Sequence, residues 1–168
     1  MLWTPLRFGK YEDVTLPEIV LRDPNWFFWQ CGKSAFGGGD LARESGWIRR
    51  QARAIKLPLE NPNLSEVEYM FDRNGKLHHV TVVHAHRNHP ADPGSIFRKN
   101  IDLSVPHEVG KQDRNGGQVV IDFLKRFVFC DEGITLITEI CEEFFDNDDN
   151  FDLGQAPSAP TKPKGFIF

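Results

Sequence analysis

All six histidines of the chain lie between residues 78 and 107, and three of them have a spacing that suits a metal site. His84 and His86 are two residues apart, so on a β-strand both imidazoles would project from one face and could bind one metal ion. His89 follows a predicted turn and is a candidate third ligand, with Asp92 as a candidate carboxylate. If these groups converge and leave one position open for water, they could hold the divalent metal of a hydrolase. The alternative is that they are exposed histidines at the end of a strand.

The three cysteines give weaker support for catalysis. Cys31, Cys130 and Cys141 are odd in number, widely spaced and without a Cys-x-x-Cys pair, which predicts buried free thiols rather than a disulfide framework or a structural zinc site. Each could pair with a histidine as a nucleophile, but none is flanked by the positive charge that lowers a thiol pKa. The chain also lacks a Gly-x-Ser-x-Gly motif, a P-loop and a dinucleotide-binding fingerprint. These patterns favour binding over catalysis, with no cofactor apart from the candidate divalent metal.

A basic stretch in the first third of the chain is a candidate nucleic-acid contact. It contains Arg43, Arg49, Arg50, Arg53 and Lys56, and it is opposed only by Asp40 and Glu44. The last four of these cations have the spacing i, i+1, i+4 and i+7. That spacing keeps them on one side of a helix, where they could neutralise several phosphates. The alternative is a set of surface arginines that pair with acidic residues near the end of the chain.

Negative charge is concentrated at the end of the chain. Residues 1–130 contain 18 basic and 15 acidic side chains, whereas residues 131–168 contain 2 basic and 9 acidic ones. The candidate partner-binding residues there are Glu142, Glu143, Asp146, Asp148, Asp149, Phe166 and Phe168. An acidic segment, a linker and a terminal aromatic residue resemble the partner-binding tails of bacterial single-stranded DNA-binding proteins. The alternatives are a solvated helix face, a tail that docks on its own domain or on nothing, and an acidic cover that DNA or a partner displaces from the basic stretch.

Helix-start signals divide the first segment into three predicted helices. Thr15 is a candidate N-cap for the first of them. Asp23 and Pro24 start the second, and Trp29 is among the aromatic residues expected to pack it. Asp40 caps the third, which carries most of the basic stretch. The three predicted helices cover residues 16–21, 24–32 and 41–55.

The middle of the chain predicts a β-hairpin. Apolar and polar residues alternate before and after Asn74-Gly75, a pair typical of a type I′ turn. Pairing across this turn sets Tyr69 opposite Val80 and Val67 opposite Val82, with these side chains on the buried face. Alternating apolar residues within 96–105 predict a third strand.

The rest of the chain before the tail is predicted to be helical. Residues 118–129 have apolar side chains at helical spacing, although their β-branched start also allows a strand, and residues 134–145 predict another amphipathic helix. A flexible tail is expected from about Gly154 because its Pro, Ala and Lys content buries little apolar surface. The sequence therefore predicts an α+β protein with a small helical aromatic module, a hairpin-based antiparallel sheet, C-terminal helices and an acidic tail. The expected segments are 1–57, 58–153 and 154–168.

Residues 5–30 contain a spaced aromatic motif, whose members are Phe8, Gly9, Lys10, Tyr11, Thr15, Leu16, Asp23, Pro24 and Trp29. With this motif, the segment resembles the small C-terminal module of exodeoxyribonuclease X-type proteins, which also stands alone in uncharacterised bacterial and phage proteins. Glu12 and Asp13 replace the basic residue and the glycine of the family pattern. The resemblance implies an aromatic module and not the nuclease, because the acidic metal-binding motifs of the exonuclease domain are not recognisable.

Two residues of this motif are candidate nucleic-acid contacts. Gly9 permits a tight turn that brings Lys10 and Tyr11 to the surface. A lysine can hold a phosphate and an aromatic ring can stack on a base, each stacked base contributing roughly 1–3 kcal/mol. The alternative is that the aromatic residues form the core of a tiny domain, with Lys10 in solvent.

The amino-acid composition excludes several classes of protein. The chain has 168 residues, of which 40% are hydrophobic and 26% are charged, so collagen-like and wholly disordered chains are excluded. No apolar run approaches the roughly 20 residues of a membrane-spanning helix, and the N-terminus lacks a signal-peptide pattern. We therefore expect a cytoplasmic protein without a membrane partner.

These observations lead to three functional hypotheses. The first is a non-catalytic nucleic-acid-associated accessory protein, of a kind that phages and mobile elements encode. The second is an acidic protein-interaction factor that mimics nucleic acid and occupies a basic partner, such as a bacterial defence nuclease. The third and weakest is a metal-dependent hydrolase built on the histidine cluster.

Overall fold

The computed structural model describes residues 2–85, 94–110 and 114–154, and it has an α+β architecture as the sequence predicts. Its helices are α1 (Leu16–Arg22), α2 (Pro24–Gly32), α3 (Gly39–Gln51), α4 (Val105–Val109), α5 (Gly116–Phe127) and α6 (Thr138–Asp146). Its strands are β1 (Ser65–Phe71), β2 (Leu77–His84) and β3 (Ser95–Arg98). Short 3-10 turns occur at Gly9–Tyr11, Pro62–Leu64 and Asp148–Asn150. Apart from Gly154, the predicted tail lies outside the described residues.

The predicted hairpin and its register are confirmed. Tyr69 pairs with Val80 and Val67 with Val82, and the antiparallel sheet has the strand order β2-β1-β3. The predicted type I′ turn is wrong, because Asn74 does not have the positive φ that this type requires. The amide of Gly75 donates to the carbonyl of Asp72 at 2.9 Å, and Gly75 is the turn residue with a positive φ, of 76°. This is the longer hairpin connection, a type I turn followed by a left-handed residue, and the register shifts between Met70 and Phe71 beside it.

The first two helices begin where the sequence predicts, but α3 ends four residues early. Its predicted end at Ile55 is wrong because the backbone of Ile55 pairs with Ile101, through N–O distances of 3.1 and 2.8 Å. Ile55 also bridges to Phe151. The helix N-cap is Gly38, and Asp40 lies in the first turn, where its carboxylate pairs with Arg43 at 2.7 Å. A tertiary pairing therefore overrides the helical pattern.

The third strand is shorter than predicted. β3 ends at Arg98 because Ile101 joins the bridge to Ile55, and Val105 starts α4. The alternating apolar residues Ile101 and Leu103 are fully buried, yet they pack into the core outside the sheet. Alternation here reflects burial, not strand pairing.

The two predicted C-terminal helices are present. α5 follows the predicted helical spacing rather than the alternative strand, and Gly117 at its start packs against Pro24 so closely that a Cβ would lie 3.1 Å from the Pro24 Cγ. α6 begins at Thr138, four residues later than the pattern indicates, and the Thr138 hydroxyl donates to Glu18 at 2.5 Å. This contact holds α6 against α1.

Buried side chains on both sides of the predicted boundary after Leu57 belong to one hydrophobic cluster. α1 contacts both α5 and α6, and α2 contacts α4 and α5. α5 also packs on β2. The N-terminal helices thus cover the same core as the sheet and the C-terminal helices. Among the described residues, no helix combines the length and apolar character needed to cross a bilayer.

Candidate functional site

A short hairpin-like turn presents the two motif residues, Lys10 and Tyr11. The amide of Leu6 donates to Val14 at 2.9 Å, and the amide of Asp13 donates back to Leu6 at 2.8 Å. Gly9 has a φ of 74°, a left-handed conformation that favours glycine. The turn leaves Lys10 exposed and Tyr11 half-buried, as the motif predicts for the lysine.

Asp23 joins this turn to α2. One carboxylate oxygen, Oδ2, accepts hydrogen bonds from the Lys10 ammonium at 2.6 Å and the Tyr11 hydroxyl at 2.9 Å. The other oxygen accepts from the backbone amide of Trp26 at 3.1 Å, so Asp23 is also the N-cap of α2. The Tyr11 ring meets the Trp26 ring edge-on, with centroids 5.0 Å apart. The motif is therefore a connected structural unit as well as a candidate site.

The charge of Asp23 is stabilised by its partners. Burial raises the pKa of Asp23, but hydrogen bonds from Lys10, the Trp26 amide and Tyr11 outweigh it, so the net pKa is lowered. The same contact raises the pKa of Lys10. A lowered carboxyl pKa means that the folded state binds fewer protons than the unfolded state, so Asp23 contributes stability above the ordinary carboxyl range.

Replacing Asp23→Asn is expected to destabilise the protein by about 1 kcal/mol at neutral pH, because the charged hydrogen bonds are lost while a cap acceptor remains. The stability difference from the parent protein should shrink as the pH falls from the ordinary value of 3.8 through the lowered pKa of folded Asp23, because Asp23 is protonated in both states only below that lowered pKa. Urea unfolding between pH 7 and pH 2 measures this. The control is Asp13→Asn, an exposed carboxylate in the same turn. A difference that is constant over the whole range would contradict the assignment.

A groove runs beside this unit, between α2, α4 and the start of α5. We call it the Trp29 groove, and its lining residues are Lys10, Asp23, Asn25, Trp26, Trp29, Pro106, His107, Gly110 and Arg114. Trp29 is 45% exposed, while the neighbouring Phe27 and Phe28 are buried. The prediction that Trp29 packs α2 is therefore wrong, because the two phenylalanines occupy the core-facing positions of that helix.

One cation lies on the exposed indole, and two more line the groove beside it. The Lys33 ammonium lies 3.5 Å from the centroid of the Trp29 ring, a cation–π contact across one turn of α2. Lys10 and the exposed Arg114 line the groove itself. Within the described residues, neither Lys33 nor Arg114 takes part in an ion pair. The groove and the ring beside it thus combine an exposed indole, three cations and the Asp23 carboxylate, and the indole and the cations can contact an unsaturated ring system and an anion.

The basic stretch does not form one row. Arg53 and Lys56 lie beyond the end of α3, so their helical register with Arg49 and Arg50 is lost. Arg43 pairs with Asp40 at 2.7 Å, Arg50 lies 5.3 Å from the Trp47 ring, and Arg49 lines a small pocket beside Cys31. Arg53 pairs with Glu108 and lies over Phe28, while Lys56 is exposed. Two of the five cations are thus engaged in ion pairs with other described residues.

The acidic candidates belong to the folded part of the chain. Glu142 and Glu143 lie on α6, and Asp148 and Asp149 are exposed in the 3-10 turn that follows. Asp146 accepts a hydrogen bond from the Trp3 indole at 3.1 Å. None of the ion pairs in the described ranges joins Glu142, Glu143, Asp148 or Asp149 to a basic residue. Phe166 and Phe168 lie outside the described residues.

Of the proposed metal ligands, the structure describes His84. His84 is exposed at the end of β2, whereas His86, His89 and Asp92 lie outside the described residues. Within the described ranges, no group of three or more His, Cys, Asp or Glu side chains is arranged to hold a metal ion. The histidine site stays a prediction.

The cysteines differ in exposure. Burial raises the pKa of the Cys31 thiol to about 11 and that of Cys141 to about 12, so both are protonated at neutral pH. Cys130 is exposed, contrary to the expectation of three buried thiols. A raised pKa disfavours the thiolate that a nucleophile needs, so Cys31 and Cys141 are poorly suited to that role.

Sequence patterns do not single out Lys33, His107 or Arg114. The i, i+4 spacing of Trp29 on α2 and Lys33, the C-cap residue of that helix, is a signal that could have found the first of them. His107 and Arg114 reach the groove because α4 packs on α2 and α5 packs on both, which are contacts between residues distant in the chain.

Comparison of the chain with protein-family models, with curated proteins and with solved structures finds no significant match. The similarity of residues 5–30 to the exodeoxyribonuclease X-type module therefore stays a prediction.

Proposed function

We propose that the protein is a non-catalytic nucleic-acid-binding accessory protein and that the Trp29 groove is its contact surface. The observation that carries the proposal is the exposed Trp29 indole with the Lys33 ammonium on its ring and two further cations, Lys10 and Arg114, lining the same groove. Aromatic rings interleaved with cations bind nucleic acids, since the rings stack on bases and the cations neutralise phosphates.

The groove also contains a negative charge, the Asp23 carboxylate, which lowers its affinity for phosphates. Asp23 neutralises Lys10 in part, so Arg114 and Lys33 supply most of the uncompensated charge. Two or three phosphate contacts give a shallow salt dependence, with a slope of about −0.7 per phosphate for a single strand. Weak to moderate binding that is strongest at low salt is the expected behaviour.

The test is a fluorescence-anisotropy titration of the full chain against a short labelled DNA, single-stranded and double-stranded, at low and moderate salt. Arg114→Ala is expected to weaken binding and to reduce the salt slope by about one phosphate equivalent, 0.7 for a single strand and 0.9 for a duplex. The control is Arg126→Ala, an exposed arginine near the opposite end of α5. No binding at low salt, or equal effects of the two substitutions, would reject the proposal.

A second candidate function rests on the acidic surface. Glu143, Asp148 and Asp149 project from α6 and the following turn without a basic partner among the described residues. Such a surface could occupy a basic groove in another protein by electrostatic complementarity. If the titration shows no DNA binding while an immobilised basic nuclease retains the protein in a salt-sensitive manner, this function replaces the first.

A further inference from the structure

We infer that the ligand of the Trp29 groove is single-stranded and that one unpaired base stacks on the Trp29 indole. This inference rests on the proposed function and adds to it the class of nucleic acid and the residue that selects it. It follows from the exposure of the ring, its support and the positions of the nearby cations.

The Trp29 indole is exposed, and the helix that carries it is anchored in the core. Trp29 lies on α2, which is anchored in the core by Phe27 and Phe28 and capped by Asp23 at its start. Of the four tryptophans, Trp29 is the one with a large exposed fraction, whereas Trp3 is 4% exposed and Trp26 and Trp47 are half-buried. A side chain with two χ angles on an anchored helix loses little conformational entropy when a flat ligand stacks on it.

A stacking platform selects unpaired bases. In a duplex, both faces of each base are covered by neighbouring bases, so a protein reaches only base edges and the backbone. A single strand exposes the base faces, and base–aromatic stacking is tolerant of sequence because every base has a π-face. Lys10 and Arg114 line the same groove as the ring, so they can contact phosphates of a strand that lies in it.

The chain contains a matched control for this ring. Trp47 on α3 also has a cation on its ring, the Arg50 guanidinium at 5.3 Å, yet it lies outside the Trp29 groove. Substituting Trp47 therefore removes a similar cation–π pair without touching the proposed base contact.

The test measures binding of a labelled single strand, of the matching duplex and of the same strand with abasic sites in its centre. Trp29→Ala is expected to weaken single-strand binding about 5- to 150-fold, and Trp29→Phe to retain most of it. Trp47→Ala should change it little. The abasic strand should bind the parent protein more weakly and should be insensitive to Trp29→Ala. Thermal unfolding of each variant verifies that it is folded.

The outcomes separate this inference from the proposed function. If the duplex binds as tightly as the single strand, or if Trp29→Ala weakens binding no more than Trp47→Ala does, the stacking inference is overturned. In that case a loss of binding in Arg114→Ala would still support a nucleic-acid interface. If no nucleic acid binds at low salt, both the stacking inference and the proposed nucleic-acid-binding function are rejected.

Discussion

Phe145→Ala is expected to destabilise the protein by about 3–5 kcal/mol. Phe145 is 1% exposed, stacks on Phe151 with ring centroids 5.5 Å apart and meets Phe144 edge-on. Its carbonyl accepts a hydrogen bond from Gln51 at 3.0 Å. Removing the ring leaves a cavity between α3, α6 and the last described turn, and the surrounding aromatic rings can only partly fill it.

Urea unfolding followed by circular dichroism measures this effect. Phe145→Leu should recover part of the stability because it restores most of the buried volume. Glu143→Gln, an exposed change on the same helix, should leave the unfolding midpoint unchanged. A loss below about 1 kcal/mol for Phe145→Ala would mean that α6 is peripheral to the fold.

The buried residues Phe145 and Phe151 limit how the acidic surface can be tested. Glu142, Glu143 and Asp146 lie on the helix that carries Phe145, and the turn with Asp148 and Asp149 leads into the buried Phe151. Deleting the chain from residue 146 onward would therefore remove part of the core together with the charge. Charge-neutral substitutions of the exposed carboxylates test the acidic surface without that loss.

Tyr69→Phe is expected to cost about 2–4 kcal/mol, because one hydroxyl satisfies two buried backbone groups. The Tyr69 hydroxyl accepts a hydrogen bond from the amide of Asp102 at 2.7 Å and donates to the carbonyl of the same residue at 3.1 Å. Tyr69 is fully buried, so water cannot replace the lost oxygen. The contact ties the central strand β1 to the segment that precedes α4.

The second tyrosine of the chain provides the control. Tyr11→Phe removes one hydrogen bond, at 2.9 Å, from a half-buried hydroxyl and should cost about 1 kcal/mol or less. Chemical denaturation of both variants gives the comparison. Equal effects of the two changes would show that the Asp102 backbone finds other partners.

The predicted elements show which local patterns are reliable. The hairpin register follows from alternation, because a shift by one residue would turn every apolar side chain of β1 and β2 to the wrong face. The starts of α1 and α2 follow from Pro17 and Pro24 in the first turns, a signal that depends on adjacent residues alone. Of the two predicted caps, Asp23 accepts a hydrogen bond from the helix, whereas the Thr15 side chain makes no cap hydrogen bond. Asn74-Gly75 located the turn, although the residues around it selected a different turn type.

The exposure of side chains and the ends of helices are less predictable from the sequence. An apolar residue such as Ile55 is compatible both with a longer α3 and with an isolated β-bridge. Its pairing with Ile101 depends on a segment 46 residues away. Trp29 lies beside two phenylalanines in sequence, and the pattern of bulky residues cannot indicate which of them faces the core. The basic residues after Gln51 lost their shared helix face for the same reason.

For the candidate site, sequence reasoning identified Lys10 and Tyr11 and the motif that holds them, because glycine, lysine and aromatic residues at close spacing carry local information. Their common partner Asp23 and the exposed Trp29 lie in the same motif, but their roles follow from contacts. The groove itself exists because α4 and the start of α5 pack beside α2, which brings Pro106, His107 and Arg114 to residues about 80 positions earlier in the chain. Secondary structure depends largely on neighbours in sequence, whereas a binding surface depends on burial and packing between distant segments, which no local pattern encodes.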